Sequence, residues 1–258
     1  MPVIVIPARY QSARFQGKPL AMLRGAEGTE KSLIQRSWEA GCAVPDISRV
    51  IVATDNDRIA DHARGFGAEV MMTSSTAANG TERCAEVAER LPEAELIVNL
   101  QGDAPLTPPE FVTAVIQAMP GREMVTPVLR ADPKTLRRLR EDRQAGRVGG
   151  TTAVFDRTGR ALYFSKEVLP FSDALTPQDA VFHHVGLYAY RAATLRRYKA
   201  WSVGHLERIE GLEQLRFLEN GVDVHCVEVE AGGRVFWEVN NPVDIKRVEA
   251  ALAEMGAN

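Results

Sequence analysis

The segment VIVIPARYQSARFQGKPL, residues 3–20, joins a buried strand to a loop that is rich in cations. The apolar run 3–6 is uninterrupted, which is typical of a parallel strand covered by helices on both faces. The loop holds Arg9, Arg14 and Lys18, and these cations repel one another unless an anion or solvent screens them. Ligands of such sheets bind beyond the carboxyl ends of the strands, so the loop is a candidate anion site. A solvated surface loop is the alternative.

Outward from this segment, short apolar runs alternate with helical patterns through the first half of the chain. The predicted strands are 3–6, 50–53, 68–72 and 96–100, and the predicted helices lie near 32–42, 57–66, 80–91 and 109–118. This order indicates βαβ repeats and a Rossmann-like α/β fold with a mainly parallel sheet flanked by helices.

The pattern changes in the second half, after a basic stretch at 134–147. Further strands at 151–155, 161–164, 185–190 and 224–229 indicate a smaller, more antiparallel lobe. A long helix near 205–219 and a terminal helix near 242–255 complete the chain. We expect a single domain over residues 1–258, with parts at 1–130, 131–230 and 231–258.

The composition excludes several classes of protein. With 45% hydrophobic residues, 25% charged residues and a net charge of -3, the chain has no bias toward polyanions, which argues against a nucleic-acid partner. Its three cysteines lie outside any CxxC spacing, which indicates a reducing compartment and no zinc site. It shows no leader peptide and no apolar run of about 20 residues, so we expect a cytoplasmic protein without a membrane span.

Familiar nucleotide motifs are also absent. Pro19 follows Gly17-Lys18 where a Walker A loop needs Ser or Thr, and the chain contains no GxGxxG. These observations exclude a P-loop kinase and a nicotinamide dinucleotide enzyme.

Several motifs together nevertheless carry a resemblance to one family. They are PARYQSARFQGKPL (7–20), ATD (53–55), NGTERCAEV (79–87), VNLQGDAP (98–105), ALYFSK (161–166), HVGLYAYR (184–191) and LERIEGLEQLR (206–216). In order and spacing they resemble those of the CMP-Kdo synthetases, the 3-deoxy-manno-octulosonate cytidylyltransferases. The resemblance runs from residue 3 to about residue 250.

The resemblance implies an enzyme that joins CTP to a 2-keto sugar acid and releases pyrophosphate. The product would be used to make a cell-surface polysaccharide, lipopolysaccharide. It further implies a Mg²⁺ cofactor, a cytoplasmic location and a homodimer. Residues 1–130 would then bind the nucleotide, 131–230 would bind the sugar acid and form the dimer, and 231–258 would be a C-terminal return segment.

The resemblance assigns the nucleotide site to the first half of the chain. The implied residues are Pro7, Ala8, Arg9, Arg14, Lys18, Asn79, Gly80, Thr81, Arg83 and Gln101. Of these, Lys18 and Arg9, together with Asp103, are the implied catalytic residues, because cations stabilise charge on the departing pyrophosphate. From the residues alone, Asn79 or Thr81 could equally be a helix cap.

For the metal, the resemblance implies Asp103 and Asn240. A carboxylate after a strand suits Mg²⁺, although an Asp in a turn before proline is a common alternative. Asn240 stands where the family has its second magnesium aspartate, so we expect weaker metal binding, with Glu238 as a possible substitute acid.

The implied sugar-acid residues are Gln101, Lys166, His184, Glu210 and Gln214. On a long helix, Glu210 and Gln214 would share one stripe, which could also be a solvated face. His184 could also be a structural histidine. Lys166 replaces a family arginine and lacks its planar fork, which leaves the identity of the acid open.

Two alternatives follow from these departures. The chain could activate a different carboxylated or phosphonate substrate, or it could bind nucleotide without turnover. Pyrophosphate release with CTP and a panel of acids distinguishes them.

Overall fold

The computed structural model describes residues 1–11, 15–147, 150–171, 181–232, 238–239 and 241–257. The chain divides into two compact units: unit 1 comprises Met1–Thr113 and Ala231–Asn258, and unit 2 comprises Ala114–Glu230. The C-terminal segment therefore belongs with the first half of the chain. That the whole chain is one domain stays a prediction.

Unit 1 contains the predicted βαβ repeats. Its elements are β1 (Val3–Ala8), β2 (Met22–Arg24), β3 (Glu30–Ser32), α1 (Leu33–Cys42), β4 (Arg49–Thr54), α2 (Asp57–Gly65), β5 (Glu69–Met72), α3 (Gly80–Arg90), β6 (Leu96–Leu100) and the start of α4 (Pro109–Gln117). The strands β5, β4, β1 and β6 lie side by side in that order, and every pair is parallel. Their apolar runs are buried, as expected for parallel strands.

Unit 2 has the more antiparallel sheet that the sequence predicts. Its elements are β7 (Met124–Arg130), α5 (Pro133–Gln144), β8 (Thr152–Phe155), β9 (Ala161–Ser165), β10 (Phe182–His184), β11 (Leu187–Arg191), α6 (Ala192–Ala200), α7 (His205–Glu210), α8 (Leu215–Glu219) and β12 (Val224–Val229). The order β11, β7, β10, β8, β9 is antiparallel throughout, while β12 pairs with β7 in parallel.

The last helix, α9 (Asp244–Glu254), packs in unit 1. It forms an apolar cluster with the hairpin β2–β3, and that cluster contains Leu23, Leu33, Leu106, Val239, Val248, Ala251 and Leu252. Val239 is fully buried there, which fixes the chain that precedes α9 against unit 1. This anchorage matters for the site because Val239 lies between two candidate metal residues.

The α/β fold with a mainly parallel sheet and a smaller antiparallel part is confirmed. The prediction of one long helix at 205–219 is wrong. The helix α7 ends at Glu210, its C-cap Gly211 has a left-handed φ of 63°, and a new helix, α8, starts at Leu215. Glycine reaches this conformation without a Cβ clash, so the helical periodicity of the apolar residues did not reveal the break. Sequence reading also missed β2, β3, β7, α5, β10 and α6.

Across the described part of the chain, no helix combines the length and the apolar character needed to cross a bilayer.

Candidate active site

The carboxyl ends of β1, β4 and β6 meet at one edge of unit 1. In the parallel register, Pro7 and Ala8 lie beside Ala53 and Thr54, and Val5 lies beside Asn99. The residues that follow these strands are therefore neighbours, which is where an open parallel sheet binds its ligands. The loops after β1 and β6 hold four of the ten predicted nucleotide residues, namely Arg9, Arg14, Lys18 and Gln101.

Two glycines allow backbones to approach closely at this edge. A Cβ atom on Gly102 would lie 2.9 Å from the carbonyl oxygen of Pro7, so only glycine lets the loop after β6 come this near to β1. A Cβ atom on Gly80 would lie 3.2 Å from Pro7 Cγ and 3.4 Å from Gln101 Nε2. The start of α3 therefore packs against Pro7 and Gln101, and the structure brings these three predicted residues together.

Lys18 and Asp103 form an ion pair at the same edge. Lys18 Nζ donates to Asp103 Oδ2 at 2.6 Å, and the two side chains are 16% and 23% exposed. Lys18 begins a short 3₁₀ turn, Lys18–Leu20, with Pro19 as its next residue. The two residues are 85 positions apart in sequence, so the fold brings two of the three predicted catalytic groups into direct contact.

The cationic loop is closed by its own backbone. The N–H of Gly17 donates to the carbonyl oxygen of Tyr10 at 2.9 Å, and Gly17 has a left-handed φ of 68°. Arg58 Nη1 donates to the Tyr10 hydroxyl at 2.7 Å, which ties the loop to the start of α2. Arg9 is exposed and donates to the carbonyl oxygen of Ala78 at 3.3 Å. Arg14 lies outside the described residues.

The start of α3 is capped by its own side chains. Asn79 Oδ1 accepts from the N–H of Glu82 at 2.8 Å, and Glu82 Oε2 accepts from the N–H of Ala78 at 2.8 Å. The two hydrogen bonds differ from a capping box because the second uses the N–H of Ala78, the residue before the N-cap Asn79. Thr81 is fully buried, so its side chain does not face solvent. The capping alternative for Asn79 is therefore present in the structure, and a nucleotide role for Asn79 stays a prediction.

Arg83 points into the interior of unit 1. Its Nη2 lies 3.1 Å from Asp55 Oδ2, and its Nη1 donates to Thr73 Oγ1 at 2.5 Å and to the carbonyl oxygen of Ser74 at 3.3 Å. The side chain is 2% exposed. In this structure Arg83 therefore braces the segment before α3, and a direct contact between Arg83 and a nucleotide stays a prediction.

Unit 2 carries four of the five predicted sugar-acid residues, and two of these, His184 and Gln214, are buried and uncharged. The Thr126 hydroxyl donates to the carbonyl oxygen of Leu187 at 2.8 Å, so its oxygen accepts from the Nε2–H of His184 at 2.9 Å. Burial, and secondarily the neighbouring His183, lowers the pKa of His184 to about 3, so the ring is neutral at physiological pH.

Gln214 lies in the same part of unit 2 and is 2% exposed. Its Oε1 accepts from the Tyr188 hydroxyl at 3.3 Å, and the Tyr188 ring lies 5.5 Å from the His184 ring. Its Nε2 has no hydrogen-bond partner among the described residues. A buried amide without a partner carries a desolvation cost of about 1–3 kcal/mol, which a ligand can relieve.

Glu210 is occupied by protein donors. Its Oε1 accepts from the Ser165 hydroxyl at 2.7 Å, and its Oε2 accepts from the backbone N–H of Lys166 at 3.0 Å. Tyr163 donates to the same carboxylate at 3.4 Å; burial, followed by the charge of Glu210, raises the pKa of Tyr163. Glu210 thus fixes the end of β9 and the backbone of Lys166, and direct acid binding by Glu210 stays a prediction.

Comparisons with known proteins show which family the chain belongs to. A sequence model described as cytidylyltransferase matches residues 3–224. The chain is 43% identical over 256 residues to the 3-deoxy-manno-octulosonate cytidylyltransferase of Maricaulis maris, covering 98% of this chain and 97% of that one. It is 38% identical over 265 residues to the Haemophilus influenzae protein of the same name, covering 97% and 98%. The chain belongs to the 3-deoxy-manno-octulosonate cytidylyltransferase family.

Solved structures place the fold in the same family. A CMP:2-keto-3-deoxy-manno-octonic acid synthetase complexed with CTP has a TM-score of 0.84 and 31% identity, covering 98% of this chain and 99% of that chain. A 4-diphosphocytidyl-2C-methyl-D-erythritol synthase from Anaerococcus prevotii has a TM-score of 0.60 at 15% identity and shows the fold alone.

The family resemblance did not direct attention to Asn99. This residue lies in β6, is fully buried, and neither polar atom of its side chain has a hydrogen-bond partner among the described residues. Its Nδ2 would lie 3.5 Å from a Cβ on Gly80, so it sits beneath the start of α3. An asparagine inside the apolar run 96–100 was the available signal, because Asn is depleted in strands.

The donors around Asp103 fit a magnesium ion of the kind this family is expected to use. The Asp103 carboxylate is a hard oxygen ligand, and Mg²⁺ needs only one or two carboxylates when phosphate and water supply the rest. The N–H of Val239 donates to the carbonyl oxygen of Asp103 at 2.8 Å, which brings the segment holding Glu238 alongside Asp103. Within the described ranges, no group of three or more His, Cys, Asp and Glu could hold a metal. Asn240 lies outside these ranges.

Proposed function

We propose that this chain transfers CMP from CTP to 3-deoxy-manno-octulosonate and releases pyrophosphate, as a step in lipopolysaccharide synthesis. One observation carries the proposal: in a chain of this family, predicted nucleotide residues converge at one sheet edge of unit 1, where Lys18 contacts Asp103. A structure of the same fold, similar over 98% of this chain, was solved with CTP.

The cationic loop is the phosphate-binding element in this proposal. Lys18 and Arg9 neutralise the triphosphate, which explains why the sequence concentrates cations after β1. A hydroxyl oxygen of the acid attacks the α-phosphorus, the bond between the α-phosphorus and the bridging oxygen breaks, and pyrophosphate leaves. Phosphoryl transfer of this kind depends chiefly on positioning and on electrostatic stabilisation of the leaving group. The exposed Arg9 and the partly exposed Lys18 can both reach an anion from solvent.

Asp103 is the residue that would hold Mg²⁺, with Glu238, or Asn240 two positions further along the chain, as a further oxygen donor. When bound, Mg²⁺ neutralises charge on the phosphates. An amide such as that of Asn240 is neutral, so we expect weaker metal binding than with two aspartates.

The acid is assigned to unit 2. Gln214 Nε2 is a buried donor with no partner in the part of the chain that the structure describes, and a carboxylate or hydroxyl oxygen of the acid would satisfy it. Neutral His184, with its proton on Nε2, keeps Nδ1 as an acceptor for a sugar hydroxyl. Glu210 accepts a hydrogen bond from the backbone N–H of Lys166 and so fixes this residue. The Lys166 ammonium offers a point charge to the carboxylate of the acid, where a family arginine would offer a planar guanidinium with two donors.

The lysine at position 166 keeps a second candidate open. An ammonium group places fewer geometric demands on its anion than a guanidinium does, so the chain could activate a different carboxylated or phosphonate substrate. A nucleotide-binding protein without turnover is the third possibility, because position 240 lacks the usual acid.

The decisive experiment measures pyrophosphate release with CTP, Mg²⁺ and a panel of acids that includes 3-deoxy-manno-octulosonate, a related keto acid and a phosphonate. We expect release to be fastest with 3-deoxy-manno-octulosonate. Faster release with another acid supports the second candidate. CTP binding by calorimetry without release for any acid supports the third, and equal affinities for CTP, ATP and GTP contradict all cytidylyltransferase assignments.

We further propose a cytoplasmic homodimer. Unit 2 exposes apolar side chains, with Leu162 at 53%, Ile209 at 68% and Phe171 at 81% exposure. Surfaces of this kind favour association. Light scattering after size exclusion tests it: the expected mass is twice the chain mass of 28.4 kDa.

A further inference from the structure

The contact between Lys18 and Asp103 has a consequence for the order in which ligands bind. One Asp103 oxygen accepts a charge-assisted hydrogen bond from Lys18 at 2.6 Å. The proposed function, on which this inference rests, gives that same carboxylate to Mg²⁺ and that same ammonium to the triphosphate. Each group therefore has to release the other before it can bind its ligand.

We propose that the Lys18–Asp103 ion pair keeps the metal carboxylate closed until the nucleotide binds, so that the metal enters with the triphosphate and not before it. A metal ion arriving alone has to displace the ammonium and leave Lys18 without its counter-charge. A triphosphate gives Lys18 a new anionic partner, which frees Asp103 at the moment when phosphate oxygens become available to share the metal.

The geometry allows this exchange. The pair is partly exposed, at 16% and 23%, and it is made by one donor atom and one acceptor atom. A lysine head group on a flexible four-carbon stem can leave by rotation of its side chain alone. Asp103 is held more firmly, because its carbonyl oxygen accepts from the buried Val239. The ammonium is therefore the part that moves.

Two other ion pairs among the described residues of unit 1 provide comparisons. Arg83 and Asp55 are joined at 3.1 Å, but the arginine is 2% exposed and has further buried partners. Lys31 and Glu39 resemble the Lys18 pair in distance, 2.9 Å, and in exposure, 23% and 35%. We assign no ligand to Glu39, so the Lys31 pair serves as the matched control.

The test is Mn²⁺ binding to the full-length chain, measured by electron paramagnetic resonance as the decrease of free Mn²⁺, without any acid. Without nucleotide, the wild type should bind Mn²⁺ weakly, and Lys18→Met should bind it at least about tenfold more tightly. Lys18→Met/Asp103→Asn should lose this gain. Lys31→Met, which removes the same charge, should bind Mn²⁺ as the wild type does. With CTP, the wild type should bind Mn²⁺ tightly and Asp103→Asn should not.

The inference is overturned if Lys18→Met leaves Mn²⁺ affinity unchanged, or if Lys31→Met raises it equally. The proposed function fails separately, if Asp103→Asn binds Mn²⁺ with CTP as well as the wild type does. Lys18→Gln provides a second variant, and thermal melting of both Lys18 variants checks that they fold.

Discussion

Each unit of the molecule contains a short ion pair, and the two pairs differ in almost every other respect. In unit 1, Lys18 meets Asp103 through one hydrogen bond of 2.6 Å, and both side chains are partly exposed. In unit 2, Arg216 donates two hydrogen bonds of 2.6 and 2.7 Å to Glu207, and the side chains are 2% and 8% exposed. The Arg216 guanidinium also stacks over Tyr198 at 4.2 Å.

The difference in burial and in the number of hydrogen bonds indicates which pair can exchange partners. Separating the Arg216 pair leaves two charges stranded in a region of low dielectric, whereas separating the Lys18 pair exposes both charges to water or to a ligand. The pair in unit 2 therefore holds α7 and α8 together across the break at Gly211. The pair in unit 1 is suited to binding, and contributes little to stability.

The largest effect is expected from Arg216→Met, which leaves Glu207 buried and unpaired. We expect the free energy of unfolding to fall by about 3–5 kcal/mol, measured by urea denaturation. Arg130→Met is the matched control, because Arg130 pairs with Glu228 on the surface of the same unit at 51% and 44% exposure. It should cost no more than about 1 kcal/mol. Equal costs for the two variants would remove the contrast between the pairs.

The next largest effect is expected from Asp103→Asn, which should lower turnover strongly and leave the free energy of unfolding nearly unchanged. We expect turnover, measured as pyrophosphate release, to fall by at least about a hundredfold, or about 2.7 kcal/mol. The free energy of unfolding should change by less than about 1 kcal/mol, because the lost pair is partly exposed. Glu39→Gln removes a comparable carboxylate from the Lys31 pair and should retain full turnover. Activity of Asp103→Asn near the wild-type level would make its ion pair purely structural.

The buried histidine of unit 2 extends the comparison to pH. Burial lowers the pKa of His184 from 6.5 to about 3, so between these values the unfolded chain binds a proton that the native protein does not. Stability should therefore fall as the pH drops from about 6.5, by about 1.4 kcal/mol per pH unit from this residue. Denaturation between pH 7 and pH 5 should show a smaller slope for His184→Gln. An unchanged slope, or a ring that titrates by NMR near pH 6, contradicts the neutral assignment.

The smallest effect on the free energy of unfolding is expected at Asn79. This residue is uncharged and therefore forms neither a buried nor an exposed ion pair. Because Ser and Asn are comparable N-caps, Asn79→Ser should change the free energy of unfolding by less than about 0.5 kcal/mol, and Asn79→Ala should cost about 1 kcal/mol. Calorimetry with CTP should give equal affinities for Asn79→Ser and the wild type. If Asn79→Ser binds CTP more weakly than the wild type does, Asn79 binds the nucleotide in addition to capping α3.

The sequence predicted the parallel repeats and the loops of unit 1 well, for an identifiable reason. Fully buried parallel strands leave uninterrupted apolar runs such as 3–6, and their ends fix where ligand loops must lie. It predicted unit 2 less well. The strand β7 carries Thr126 and Pro127 within its apolar residues, and the helix α5 is almost entirely polar, so neither shows a clear period.

The fold class, the family and the concentration of cations after β1 could be predicted from the amino-acid sequence, because these depend on local pattern and on the order of motifs along the chain. Which charges pair depends instead on the tertiary structure. Lys18 and Asp103 are 85 residues apart, and Arg83 turns inward to Asp55 although its motif predicted a ligand contact. Partner choice depends on distance and on access to water, and both are set by how strands and loops pack rather than by the identity of any one residue.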